Sequence, residues 1–212
     1  DNILFVAEHA SPGNLPPVPA IAPRLIDIDL AGFVRANHSV RGSSRQEWGF
    51  LKPLMRRAFL EAHGLHYDAA LRLGEDYDLY VRMLQHGARF RVSTEVGYAA
   101  RWRTDSLSSR HRTEDLQALH AASRAHLGAA GPDAAAREAL ARHAAELHQR
   151  FLLRSFLDRR ARSGRARALA WALCRPLTLA PIARGVLADK LGARSPAPPP
   201  RIGRTLIAPD AS

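Results

Sequence analysis

The feature that most constrains this chain is a change of hydrophobic period near residue 111. Upstream of it, short apolar runs are separated by turn residues. Asn2-Ile3-Leu4-Phe5-Val6 is apolar nearly throughout, which predicts a buried strand over residues 2–7. Leu25 to Ile28 reads as a second, short strand. Arg89 to Val92 alternates basic and apolar residues, as a half-exposed strand does, and Val96 to Arg103 reads as another. Helical spacing is interleaved with these strands. Leu30 to Ala36 suits a short helix, and Arg57 to His63 a helix closed by Gly64. Asp76 to Gln85 repeats Tyr77, Tyr80, Val81 and Leu84 on one face and stops before Gly87.

From about residue 112 onward the spacing is helical. Leu116, Leu119, Ala122 and Ala125 mark one amphipathic helix. Leu140, Ala144, Leu147, Phe151 and Ser155 mark a longer one, which Gly164 breaks. Residues 11–23, with six Pro or Gly, and the polar residues 41–47 read as loops. The fold class this predicts is α/β. Residues 1–110 form a mixed sheet flanked by helices, residues 111–192 a basic, amphipathic helical extension, and residues 193–212, with Pro196, Pro198, Pro199 and Pro200, a disordered tail. A first residue that is not Met, followed at once by a strand, reads as a fragment of a longer protein.

Charge is distributed unevenly. Residues 1–149 hold 18 Lys/Arg and 17 Asp/Glu, whereas residues 150–212 hold 13 and 3. The C-terminal third thus carries nearly all of the net +11. An anionic partner such as a membrane surface is one implication; an Arg- and Ala-rich coding bias is the other. A nucleic-acid partner is not expected, because no recognised binding motif occurs and aromatics are not interleaved with the arginines. The single cysteine, Cys174, excludes an intrachain disulfide and fits a reducing compartment. No apolar run approaches the roughly 20 residues that span a bilayer.

The strongest chemical signal is Gly74-Glu75-Asp76-Tyr77-Asp78-Leu79-Tyr80-Val81-Arg82, with three carboxylates at a helix start. Acidic residues are favoured in a first turn for purely structural reasons, and Asp78 with Arg82 is an ordinary i,i+4 ion pair. The flanking order argues for more. Lys52-Pro53-Leu54-Met55-Arg56-Arg57-Ala58-Phe59 and Gly64-Leu65-His66-Tyr67-Asp68 stand upstream, and Gly87-Ala88-Arg89-Phe90-Arg91-Val92 stands downstream. Over residues 1–110 this resembles the second half of the catalytic domain of family 2 glycosyltransferases, with the GT-A fold. The bacterial exopolysaccharide type, such as the succinoglycan-synthesis glucosyltransferases, is the most similar in flavour.

That resemblance implies a transferase that moves a sugar from a nucleotide-sugar donor to a hydroxyl of a saccharide or lipid-linked acceptor, with inversion. It implies Asp76 as the general base and Glu75 as a residue orienting the acceptor or the loop. Lys52 and Arg56 are expected substrate contacts. Arg101-Trp102-Arg103-Thr104-Asp105-Ser106-Leu107-Ser108 is similar to the family's Arg- and Ser-rich segment, so Arg101 and Arg103 are candidates for the diphosphate. Ala100 and Arg103 depart from the family's more usual aromatic and His.

A divalent cation, Mg2+ or Mn2+, is implied too, but the family's Asp-x-Asp motif is missing. Asp27-Ile28-Asp29 has the letters in the wrong place and reads as a surface strand end. The ligands are therefore expected upstream, and the fragment alone is expected to be inactive. His143 and His148 read as exposed helix residues. The resemblance implies a cytoplasmic location, with the basic C-terminal third at the inner membrane face. A basic helical nucleic-acid binder and a non-catalytic membrane scaffold are the rival readings; salt-dependent nucleic-acid binding marks the first, and absence of sugar transfer the second.

Overall fold

The computed structural model describes residues 1–18, 22–38, 48–101, 112–192 and 203–207. Its elements follow the two sequence periods. The first half contains β1 (Asn2–Val6), β2 (Leu25–Ile28), α1 (Leu30–Ala36), α2 (Arg57–Ala62), α3 (Glu75–Gln85), β3 (Phe90–Ser93) and β4 (Val96–Arg101). The second half contains α4 (Thr113–Gly128), α5 (Ala134–Leu173) and α6 (Pro176–Gly192). The class is α/β, as expected. The expected break at Gly164 is a kink inside α5, where φ is +83°.

The strands do not make one continuous sheet among the described residues. β1 pairs in parallel with β4, and β2 pairs antiparallel with β3. The corner between β3 and β4 ties the two ladders together. Thr94 there is buried; its hydroxyl donates to the Ala22 carbonyl at 2.8 Å and accepts from the Arg24 amide at 2.9 Å. Asn2 is wholly buried in β1 and donates to the carbonyls of Thr94 and Ile207. A buried amide side chain is tolerated only with its hydrogen bonds made, and Asn2 makes them.

Asn2 also marks a departure from the sequence reading. Residues 203–207 lie within the tail expected to be disordered, yet they run along β1. Leu4 bridges Thr205, and the Leu206 and Ile207 amides bond the Ile3 carbonyl and the Asn2 side chain. Ile207 is fully buried. The proline-rich composition outweighed a short apolar stretch, Leu206-Ile207, that finds a free strand edge.

The main core is shared by both halves. Ile3, Phe33, Val34, Leu79, Tyr80, Val81, Phe90 and Val92 meet Ala139 and Leu140 of α5. The first turns of α5 are therefore part of the same core. His38, just past α1, reinforces this seam: its Nε2 lies 3.0 Å from the Ala139 carbonyl. Burial holds His38 below the usual imidazole pKa. A smaller core, of Leu152, Phe156, Ala168, Ala172 and Ile182, joins α5 to α6.

Candidate active site

The acidic turn begins at Gly74, whose φ of +74° lies in the left-handed region. A side chain there costs about 1–2 kcal/mol in backbone strain. It also meets Leu119 of α4, whose Cδ1 stands 2.8 Å from the position of a Cβ. Gly74 thus lets α4 press directly on the start of α3. The three carboxylates that follow have different fates.

Asp78 points inward and is spent on structure. One of its oxygens accepts from Arg82 Nε at 2.9 Å and from Arg82 Nη2 at 2.7 Å. Its other oxygen lies 3.0 Å from Nε2 of the buried His126. Burial alone would raise the Asp78 pKa, but His126 and Arg82 together hold it below the usual carboxylate range. The i,i+4 ion pair read from the sequence is present; the His126 partner was not legible, because it comes from α4.

Asp76 points to the surface side of the same turn, with 23% of its side chain exposed. Lys52 Nζ donates to its Oδ2 at 2.8 Å, and the Tyr67 hydroxyl donates to its Oδ1 at 2.9 Å. The two donors come from separate segments. Lys52 follows a 3-10 turn, Trp48–Phe50, and stands next to the buried Leu51. The Leu51 carbonyl accepts from the Tyr80 hydroxyl at 3.0 Å. Tyr80 lies one turn beyond Asp76 on α3, so α3 itself anchors the extended segment that brings Lys52 to Asp76.

Tyr67 follows the Gly64 turn after α2. Burial, the bond to Asp76 and nearby negative charge raise its pKa, so the phenol stays a donor. Burial raises the Tyr80 pKa likewise, with the charge of Asp76 acting in the same direction.

Glu75 is half-buried beside Asp76 and adds to the negative potential on Tyr67 and Tyr80. The remaining candidates are dispersed. Arg56 is the exposed residue before α2, and Arg101 is the exposed last residue of β4, in register with Val6. Neither bonds Asp76 among the described residues. Arg103 lies outside the described residues. Of the expected site residues, the fold therefore joins Lys52 to Asp76 directly. Tyr67 was not singled out in the sequence, since nothing in a nine-residue separation across a turn marks it as a partner of Asp76.

Asp27 and Asp29 have structural roles, consistent with a surface strand end. Asp27 pairs with Arg91 at 2.7 Å, and Asp29 caps α1 by accepting from the Gly32 amide at 2.6 Å. They line an open groove of about 520 Å3 with Trp48, Arg89 and Phe90, which includes none of Lys52, Tyr67, Glu75 or Asp76. No cluster of three or more His, Cys, Asp or Glu suited to a metal ion occurs among the described residues.

His143 corrects the sequence reading: it is buried, not exposed. Its ring stacks on Tyr77 of α3 at 4.4 Å, and its Nδ1 lies 3.0 Å from Ser123 Oγ. A polar residue on a helix reads as solvated from spacing alone, but α5 turns that face onto α3 and α4. His148 is exposed, as read.

A carboxylate offers about four acceptor sites, and two on Asp76 are used. A third donor, such as a hydroxyl, can therefore bond Asp76 without displacing Lys52 or Tyr67. That is the geometry an acceptor O–H needs before its proton is taken.

No protein-family model matches the chain, and no solved structure matches it. Two curated proteins of Rhizobium meliloti (strain 1021) do. The succinoglycan biosynthesis protein ExoU is 48% identical over 192 residues, covering 90% of this chain and 56% of ExoU. The succinoglycan biosynthesis protein ExoO is 38% identical over 104 residues, covering 49% of this chain and 29% of ExoO. The chain thus spans little more than half the length of one relative and under a third of the other.

Proposed function

We propose that this chain is the acceptor-side part of a nucleotide-sugar-dependent, inverting glycosyltransferase that acts in exopolysaccharide synthesis. The names of the two similar proteins support the polysaccharide role, and the resemblance around residues 52–92 supports the reaction class. The observation that carries the site is Asp76. It is partly exposed, held by two donors from outside its helix, and left with spare acceptor capacity.

In this reading an acceptor hydroxyl donates to Asp76. As its oxygen attacks the anomeric carbon, in line with the departing nucleoside diphosphate, the proton passes to the carboxylate. Displacement from one side inverts the centre. Lys52 and Tyr67 fix the carboxylate rotamer, and Glu75 keeps the local potential negative. The divalent cation implied by the resemblance is assigned to no residue here. Asp27 and Asp29 do not fit it, since each already has a structural partner.

Replacing Asp76 by Asn in the full-length protein tests this. Turnover is expected to fall on the order of 100-fold, the usual scale for a lost general base. Thermal stability should stay near wild type. Turnover close to wild type removes Asp76 from the mechanism.

A peripheral membrane position is part of the same proposal. Leu187 along α6 is 58% exposed, and Leu169 and Leu173 at the end of α5 are 53% and 66% exposed. Trp171 lies there between Arg159 and Arg175, each 5.2 Å from its ring. Exposed leucines beside arginines suit the interface of an anionic leaflet. No helix among the described residues is long and apolar enough to cross a membrane.

A further inference from the structure

α4 and α5 run antiparallel, and the groove along their outer seam has an unusual lining. Gln117, His120, Ala121, Arg124 and Ala125 of α4 face His148 and Phe151 of α5 across about 490 Å3. The α4 residues recur at intervals of three and four, so they form one stripe of that helix. His120 and His148 approach across the seam with ring centroids 4.8 Å apart. Ala121 and Ala125 keep the space between the longer side chains open.

The chemistry of this lining is one-sided. It holds two imidazoles, a guanidinium and an amide, and it holds no carboxylate. His120 is held below the usual imidazole pKa by burial first, and then by the positive charge of His148 and Arg124. Both charged groups that act on it in this way are cationic. Two carboxylates of α5 are engaged elsewhere: Asp158, at the end of the seam, bonds the Thr113 hydroxyl and pairs with Arg154, and Glu146 bonds Arg142. Glu114, three residues before Gln117 on α4, is exposed and is not part of the groove lining. Gathering cationic groups without a protein counter-charge opposes folding slightly, and an anion placed among them removes that opposition.

We propose that this α4–α5 groove is a binding site for a phosphate- or diphosphate-bearing ligand. Arg124 supplies a guanidinium fork for phosphate oxygens. His120 and His148, when protonated, supply ring N–H donors on either side, and the Gln117 amide adds a neutral donor. Phe151 gives the groove an apolar wall for whatever group carries the phosphate. Because the bound anion favours the charged imidazoles, binding takes up protons, and affinity rises as pH falls through the histidine range. The site stands independently of the role of Asp76. It is coupled in structure to that turn through Leu119, the residue before His120, which packs on Gly74.

The test is a pyrophosphate titration of the whole chain, followed by the imidazole NMR signals of His120 and His148, with sodium chloride at matched ionic strength as the control. Pyrophosphate should move both signals together and raise the titration midpoint of His120. In the doubly substituted variant His120→Gln, Arg124→Gln, affinity should drop at least about tenfold, the scale of one lost charge-assisted hydrogen bond. Both positions are on the outer seam, and an unchanged melting temperature confirms that the variant is folded. Competition by phosphatidic acid vesicles, against phosphatidylcholine as reference, supports a lipid-borne phosphate. Competition by inorganic phosphate alone supports a soluble one. Equal shifts from matched chloride, or equal pyrophosphate affinity in the variant, overturn the proposal.

Discussion

Replacing Asp78 by Asn separates the structural carboxylate of the acidic turn from the proposed catalytic one. Asp78 is almost wholly buried and accepts two hydrogen bonds from Arg82, with His126 3.0 Å away. Breaking a buried pair by removing one partner costs about 3–5 kcal/mol. Arg82 softens the loss, since it is partly exposed and also donates to the His66 carbonyl at 2.7 Å. An Asn keeps the shape and some hydrogen bonding. A net loss of about 2–3 kcal/mol is therefore expected, at the scale of one or two charge-assisted bonds. For a chain of this size that lowers the melting temperature by roughly 4–12 °C.

The pH dependence gives a second reading of the same variant. The folded-state pKa of Asp78 lies below its unfolded value near 3.8. The unfolded chain then binds the extra proton first, so stability falls as pH falls. The contribution is complete above the unfolded pKa and is lost as pH drops through the folded one. The gap between wild type and Asp78→Asn should hold steady from pH 7 to pH 5 and close below about pH 3.8. Thermal melts by circular dichroism across this range measure it. A wild-type melting temperature at pH 7, or a gap that persists unchanged at pH 2, refutes the assignment of Asp78 as a buried, ionised partner of Arg82 and His126.

Gly74→Ala should destabilise the chain by about 1–3 kcal/mol, from left-handed backbone strain and crowding of Leu119; a melting temperature equal to wild type contradicts both causes. His38 is held neutral by burial, so its contribution is complete above pH 6.5 and is lost as pH falls through its lowered folded pKa. His38→Gln, which can still donate to Ala139, should therefore show a smaller drop in melting temperature between pH 7.5 and pH 5 than wild type does. Leu169→Ser with Leu173→Ser should reduce co-sedimentation with anionic vesicles, and raised salt should weaken wild-type binding; equal binding to neutral vesicles leaves no role for the arginines.

Much of the fold was legible because its signals are local. β1, β2, α1, α2, α3 and β3 fall within a residue or two of their sequence-read bounds, since each rests on its own hydrophobic period and a nearby glycine or acidic cap. The acidic turn at residues 75–78 was legible for the same reason: helix starts favour carboxylates over a span of four residues. Local signals could not say which carboxylate faces inward. Asp76 and Asp78 are two positions apart on one helix, and only packing against α4, with His126, turned Asp78 into a structural group.

The partners of Asp76 show the same limit. Lys52 is 24 residues away and Tyr67 is nine, and both are placed by turns whose geometry no period encodes. His143 was misread because helical spacing gives a buried face but not its neighbour; α5 set it against Tyr77 and Ser123. Residues 203–207 depart from the tail reading because composition reports an average, whereas Leu206 and Ile207 need a single open strand edge. The sequence by itself determined where the chain is strand or helix and where negative charge gathers, because those depend on residues within a turn or two. The tertiary structure decided which charges are buried, which are held ready at the surface, and which strand edge is closed, because those depend on contacts between residues as far as 205 positions apart.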